Sequence, residues 1–329
     1  MSRTAAAVGL VVALLAPPAA AADPLPSWND TGPKRAILAF VARVTADRSP
    51  HFVPPAERVA VFDNDGTLWC EQPVYTQLAF ALDRVKALAP ARPEWRERPP
   101  FKAVLDGDHA ALAAGGETGL AAVVAATHTG MTVDEFQAAV RDWIATAEHP
   151  RFRRPYTACV YRPMLELVAH LRANGFKTFI VSGGTADFMR PWAEKVYGIP
   201  PEQVVGTTFK TMYVVRDGKP VVVIEPHIDL VDDHAGKPVG IARQIGRRPV
   251  LAVGNSDGDF EMLEYTTAAP GPRFGLLVHH TDAEREYAYD RASKVGRLAR
   301  GLDEAPRRGW VVADMKADWK AVFPPRPGE

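Results

Sequence analysis

Cysteine is nearly absent from this chain: Cys70 and Cys159 are the two in 329 residues. So few exclude a disulfide framework, and their spacing fits no zinc or thiol-redox motif. An excess of one charge is missing too. Lysine and arginine number 39, aspartate and glutamate 39, so no basic field exists to hold a nucleic acid. Long apolar runs are lacking outside the amino terminus, where Arg3 is followed by AAAVGLVVALLA and PPAAAADP. That run is about 12 residues, short of the roughly 20 that a spanning helix needs. Its charged start, apolar centre and small-residue end predict a signal peptide over residues 1–22, cut near Ala22. The expected protein is exported, periplasmic or secreted, with no membrane span in the mature chain and an oxidising environment. No internal repeat is present. The composition, 47% hydrophobic and 24% charged, is that of an ordinary globular chain long enough to bury a full core.

What is there begins with VAVFDNDGTLW, residues 59–69. Four apolar residues run into Asp63 and Asp65, with Gly66 permitting a sharp turn. Two carboxylates so close at the end of a buried strand are costly unless a cation or a proton lies between them. Around this stretch the pattern alternates. Ile37, Phe40, Val41 and Val44 fall at i, i+3, i+4, i+7 and predict a helix over about 33–46. From Pro73 to about residue 150 no strand-like run occurs. Alanine-rich helical patterns fill that insert, with Thr132 capping a helix that carries Val133, Phe136, Val140 and Trp143 on one face, and APARPEWRERPP reading as a loop.

Strands and helices then resume. Met164, Leu167, Val168 and Leu171 mark a helix, KTFIVS a strand at 177–182, Asp187 to Tyr197 a helix, and VVG near 204 another strand. TMYVV and PVVVIE flank Arg216-Asp217-Gly218, a hairpin signal. A helix from about Lys237 precedes PVLAVGN, and GLLV ends the series. The tail, 323–329, reads as disordered. Strands this apolar, separated by helices, predict an α/β fold with a parallel sheet covered on both faces.

In such a sheet the ligand crevice lies beyond the carboxyl ends of the strands, where strand order reverses. Asp63 and Asp65 end the first strand. Ser182 ends the second, followed by Gly183, Gly184 and a helix start whose free N–H groups suit a phosphate oxygen. Lys237 opens a helix, and the strand after it ends in Asn255, Asp257 and Asp259.

These four segments, in this order, resemble the haloacid dehalogenase superfamily of hydrolases, and within it the phosphoserine phosphatase-like branch. The resemblance covers roughly residues 57–70 and 160–280 and implies a Rossmann-like core over 23–72 and 158–322, with 73–157 as an all-helical cap. It implies a phosphomonoester phosphatase: Asp63 as nucleophile, Asp65 as acid and base, Ser182, Gly183 and Lys237 on the phosphoryl oxygens, and Mg²⁺ as cofactor. Asp65 disfavours a dehalogenase, which releases halide and needs no acid. A phosphotransferase or mutase with the same four motifs, and a non-catalytic metal- or phosphate-binding protein, are the alternatives. The implied metal ligands are Asp63, Asp65, Asn255 and Asp259. Asn255 stands where the family has aspartate, which leaves open whether Asp257 supplies a direct ligand. The implied partner is a small phosphorylated substrate; the oligomeric state is open. Cys70 and Cys159 lie where the chain leaves and re-enters the core, so a disulfide across the base of the cap is a further expectation, worth roughly 3 to 5 kcal/mol if unstrained. Six polar residues near Lys237, Glu225, His227, Asp229, Asp232, Asp233 and His234, read as a solvated loop, and His279 and His280 as surface residues.

Overall fold

The computed structural model describes residues 22–326. Residues 1–21 of the expected signal peptide and 327–329 of the expected tail lie outside them. The strands are β1 (Val59–Phe62), β2 (Lys177–Thr185), β3 (Val204–Arg216), β4 (Lys219–Leu230), β5 (Leu251–Gly254), β6 (Phe274–Thr281), β7 (Ala288–Tyr289) and β8 (Val311–Asp314). They form one sheet in the order β4-β3-β2-β1-β5-β6-β7, with β8 on β6. Its centre, from β3 across to β6 and β8, is parallel; β4 and β7 pair antiparallel at the ends.

The unbroken VAVF run forms β1 because both of its faces are covered. Ala60 and Phe62 point into one apolar cluster with Ile37, Phe40, Val44, Leu167 and Leu171. Val59 and Val61 point into another with Ile241, Phe260, Met262 and Leu263. The period of two along the strand thus meets the helical period of two layers. The first layer contains α1 (Gly32–Thr45) and, after the insert, α7 (Arg162–Ala173), each burying the i, i+3, i+4, i+7 residues expected of it. From β1 the chain goes to β2 on one side, while β5 lies on the other, so the strand order reverses at β1.

The insert is helical, with α2 (Thr76–Leu88), α3 (Phe101–Asp106), α4 (His109–Ala114), α5 (Gly116–His128) and α6 (Val133–Ile144). Ala81, Val85, Trp95, Phe101, Val104 and Val123 give it a core of its own. Thr132 caps α6 in a reciprocal arrangement with Glu135, at 3.1 and 2.7 Å, which satisfies two otherwise unpaired N–H groups. The chain enters and leaves through adjacent segments: Trp69 and Val160 form an antiparallel bridge, and the Cys70 N–H donates to the Cys159 carbonyl at 3.0 Å. The two thiols there are free and buried. No disulfide joins them, which corrects the expectation, because each sulfur has another partner. Cys70 Sγ donates to Glu286 Oε1 at 2.9 Å, and Cys159 Sγ to the Pro155 carbonyl at 3.6 Å.

The hairpin is longer than its two apolar runs suggested, since VVG at 204 is the start of the same strand as TMYVV. Its distal half reaches the cap. The Ile224 N–H donates to the Met131 carbonyl at 2.9 Å, the Gly130 N–H to the Ile224 carbonyl at 3.0 Å, and Arg216 lies 3.6 Å from Glu135. After β6 the chain adds β7, β8, α11 (Arg300–Arg308) and α12 (Met315–Asp318), none of which carries a long enough apolar period to be read in advance. Between these blocks lie α8 (Ala186–Tyr197), α9 (Gly236–Gly240) and α10 (Phe260–Thr267). The expected disordered tail is corrected in its first part: Phe323 packs on Phe152 at 4.9 Å, and Arg154 donates to the Pro324 carbonyl.

His128, at the end of α5, is wholly buried against Phe136, with ring centroids 4.0 Å apart, and Phe209. Its Nδ1 donates to the Val124 carbonyl at 2.6 Å. Burial pushes this imidazole down to about 4, outweighing that hydrogen bond, and Arg84 adds to the effect. The unfolded chain therefore takes up a proton near pH 6.5 that the folded chain refuses until about pH 4, so stability is lost as pH falls through that window. We expect the thermal midpoint to drop between pH 6.5 and 4, as up to about 3 kcal/mol of stability is lost, and His128→Phe to flatten that part of the profile; an unchanged slope in His128→Phe refutes the assignment.

Candidate active site

Asp63 follows β1 directly, and its N–H continues the pairing with β5 by donating to the Val253 carbonyl at 2.9 Å. The turn after it is closed by the Asn64 carbonyl, which accepts from Thr67, Leu68 and Trp69, and by Gly66 N–H donating to the Trp69 carbonyl at 2.8 Å. Gly66 has φ +76°, and a Cβ there would lie 2.1 Å from Asn255 Nδ2, so both backbone and space demand glycine. The Trp69 indole, stacked on Trp192 at 4.4 Å, donates to Asp65 Oδ1 at 2.8 Å and fixes that carboxyl. His280 is buried and not at the surface as expected. Its Nε2 donates to the Gly66 carbonyl at 2.8 Å, its Nδ1 meets Glu286 Oε2 at 3.2 Å, and its ring stacks on Tyr289 at 4.4 Å. The motif turn is thereby held from β6.

β2 delivers the second motif through an irregularity: Ser182 pairs with Gly206, Thr185 with Thr207, and Gly183-Gly184 bulge out between them. Ser182 Oγ accepts from the Gly184 N–H at 3.1 Å, which leaves its own proton free to donate. Gln77 of α2 grips the start of α8 from the cap side, accepting from the Thr185 N–H at 2.8 Å and donating to Thr185 Oγ1 at 2.7 Å. Lys237 is the best-anchored group. Its ammonium, 2% exposed, donates to Asp63 Oδ1 and Asp259 Oδ1 at 2.6 Å each and to the Val181 carbonyl at 3.0 Å.

Asp259 Oδ2 accepts from the Asn255 and Ser256 N–H groups, both at 3.0 Å, and from Ser256 Oγ at 3.2 Å. It shapes the last loop and positions Lys237. Asp257 turns elsewhere, accepting from the N–H groups of Ala299 at 3.1 Å and Gly301 at 2.9 Å, at the start of α11. Its carboxylate serves the positive end of that helix, so it is corrected as a ligand candidate. Of the six polar residues expected in a solvated loop, Glu225, His227 and Asp229 lie on β4 instead; in the loop after it Asp232 is fully buried, which pushes its carboxyl up to about 7, and Asp233 lines the cavity described below.

Electrostatics follow from this crowding. Burial first, then Asp259, raises the Asp63 carboxyl well above the usual range, against the pull of Lys237. Burial raises Asp65, opposed by the Trp69 hydrogen bond. Burial alone would lower Lys237, but Asp259 and Asp63 outweigh it and hold the ammonium above its usual value. Glu71 is raised well above its usual range, by burial above all, with Asp65 and Asp63 adding to it. This fourth carboxyl lies in the segment that leads to the cap, outside the residues that the sequence marks as a site. It accepts at Oε1 from Asn255 Nδ2 at 2.7 Å and Tyr289 OH at 2.8 Å. Asn255 Oδ1 in turn accepts from Thr67 Oγ1 at 3.0 Å. Asparagine at 255 thus suits a site where a neighbouring carboxyl oxygen takes its amide N–H.

A hard divalent cation fits these donors. Asp63, the backbone carbonyl of Asp65 and the Asn255 amide oxygen are oxygen ligands of the kind Mg²⁺ takes, few enough to leave it several waters, and the raised carboxyls are those a nearby cation would relieve. Among the described residues no group of three or more His, Cys, Asp or Glu side chains forms a ready-made metal cage, so any such ion needs backbone, amide and water oxygens. Asp63, Asp65, Ser182, Gly183 and Lys237 line one cavity of about 270 Å³ beneath the cap, together with Glu71, Tyr75, Gln77 and Asp233.

A chain that brings an aspartate pair, a serine turn and a lysine from separate strands to one cavity can be set beside known proteins. Residues 60–264 match the family described as haloacid dehalogenase-like hydrolase. No curated protein matches. Among solved structures, a conserved protein of unknown function from Anaerococcus prevotii DSM 20548 is similar at 16% identity, over 76% of this chain and 86% of that one, with a TM-score of 0.52. A protein of unknown function from Bordetella pertussis Tohama I is similar at 16% identity, over 79% and 99%, with 0.51. A phosphoserine phosphohydrolase-like protein from Francisella tularensis subsp. tularensis SCHU S4 shares 16% identity over 76% and 98%, with 0.38. The family match spans more than half the chain and runs from the strand that carries the aspartate pair through the loop that holds Asp259, so the chain belongs to the haloacid dehalogenase-like hydrolase family.

Proposed function

We propose that the protein is an exported, Mg²⁺-dependent phosphomonoester phosphatase acting on a small soluble substrate, with residues 73–157 as its cap. The observation that carries this is the convergence of Asp63, Asp65, Ser182 and Lys237 on one cavity. Asp63, fixed at the end of β1 with one oxygen held by Lys237, attacks phosphorus with the other. The P–O bond to the alcohol breaks as the bond to Asp63 forms, giving an aspartyl phosphate. Asp65, whose carboxyl burial raises above the usual range, donates a proton to the departing oxygen. It then takes a proton from the water that cleaves the acyl phosphate and restores Asp63. Ser182 and the Gly183 N–H hold equatorial oxygens, and Lys237 balances charge as it develops. Asp63, the Asp65 carbonyl and Asn255 would hold Mg²⁺, which would supply positive charge to oppose the crowd of oxygens.

Phosphate release from p-nitrophenyl phosphate, with and without Mg²⁺, tests the proposal. We expect turnover that is lost with a chelator and regained with the metal. Asp65→Asn keeps the Trp69 contact but cannot carry the proton, and is expected to lower kcat by roughly 10² to 10⁴, less for the nitrophenyl ester, whose leaving group needs little protonation, than for an alkyl ester. Equal losses on both esters would remove Asp65 from the acid's role. Phosphate passed to an added alcohol in preference to water would indicate a phosphotransferase.

A further inference from the structure

The cavity sets four carboxyl groups against one cation. Asp63, Asp65, Glu71 and Asp233 line it, and among the described residues around it Lys237 is the one basic side chain. That ammonium is already shared between Asp63 and Asp259. The cap adds hydrocarbon to the lining: Leu78 from α2, and Leu120 and Val124 from α5.

On the phosphatase reading, a phosphoryl group at Asp63, Ser182 and Lys237 leaves the alcohol portion of the ester to this hydrocarbon and to Glu71 with Asp233. Resting on that reading, we propose that the enzyme takes phosphomonoesters whose alcohol portion carries no anionic group. A second carboxylate or phosphate there would meet two carboxyls, three aliphatic side chains and the neutral Tyr75, Gln77 and Ser256, with no cation to pair it. Losing its water without a counter-ion is what makes a buried charge expensive. A neutral or aminated alcohol incurs no such cost: hydroxyls find acceptors in Glu71 and Asp233, and alkyl carbon finds Leu78, Leu120 and Val124. The volume, about 270 Å³, suits a short alcohol.

Two matched pairs test this, each differing by one carboxylate on the same skeleton: glycerol phosphate against phosphoglycerate, and phosphoethanolamine against phosphoserine. With Mg²⁺ present, we expect kcat/KM for the carboxylate-free member to be roughly 10- to 100-fold higher in both pairs, as a charge that loses its water without a counter-ion implies. Val124→Lys and Leu120→Lys bring a cation to the wall and should each pull that ratio toward unity; remaining p-nitrophenyl phosphate turnover shows that the variant has folded. Carboxylated esters hydrolysed as well as their partners, or ratios unmoved in both lysine variants, overturn the inference while leaving the phosphatase reading intact. Failure of every ester, p-nitrophenyl phosphate included, overturns both.

Discussion

Asp63→Asn is expected to abolish turnover, by at least roughly ten-thousandfold in kcat/KM, while leaving the fold standing. The amide has the shape of the carboxyl but cannot attack phosphorus, and no neighbour can replace it. Asp65 is held by Trp69, Asp259 is occupied by Lys237 and the Asn255-Ser256 backbone, and Glu71 accepts from Asn255 and Tyr289. Lys237 keeps Asp259 as its counterion and the Val181 carbonyl as an acceptor, so the ammonium is not stranded. Steady-state kinetics with an alkyl ester, alongside thermal melting, check both halves. Residual activity above a few per cent, with an unchanged melting temperature, would mean that another group is the nucleophile.

Lys237→Met is expected to damage the fold as well as the chemistry. The wild-type ammonium lies between two carboxyls, both under a tenth exposed. Removing it leaves two buried like charges, a loss of about 3 to 5 kcal/mol, or roughly 5 to 15 °C in melting temperature for a chain of this size. The sign with pH is specific. Burial already raises Asp63 against the pull of Lys237, and without the lysine nothing opposes it. The variant therefore approaches wild-type stability below about pH 4, where the Asp63 carboxyl is protonated in both states, and falls behind as pH rises through its raised folded value. Melting curves of the metal-free proteins from pH 4 to 8 measure this. Lys237→Met with Asp259→Asn should recover part of the loss. A Lys237→Met variant as stable as wild type at pH 7 would show that the ion triad contributes nothing to the fold.

Much of the site was legible because each of its parts is a local event in the chain. An apolar run that ends in DND, a KTFIVS strand that ends in two glycines, and a lysine just before a second short strand all place polar groups at the carboxyl ends of parallel strands. The sheet does the rest by setting β2 and β5 on either side of β1. What escaped was non-local. His280 looks like any histidine at the end of GLLVHH, and only the packing of β6 beside the turn makes its ring a donor to Gly66. Glu71 is one polar residue after Cys70 until Tyr289 and Asn255, more than 180 positions away, close on it. Asp257 and Asp259 have the same local setting in GNSDGD, and their opposite roles depend on α11, whose amphipathic period is interrupted by Pro306. The cysteines show the converse: adjacency of the two segments was foreseeable, but side-chain direction was not, and Glu286 and Pro155 decide it.

The strip of main-chain pairing between Ile224 and residues 130–131 has a mechanical consequence. A roof attached only at the Trp69 and Val160 crossing would rotate about one axis. This one is also stitched along its far border to a ribbon that continues, past a register slip at Thr208 and Phe209, into the sheet itself. Any displacement of the roof must therefore either carry the ribbon with it or break that pairing.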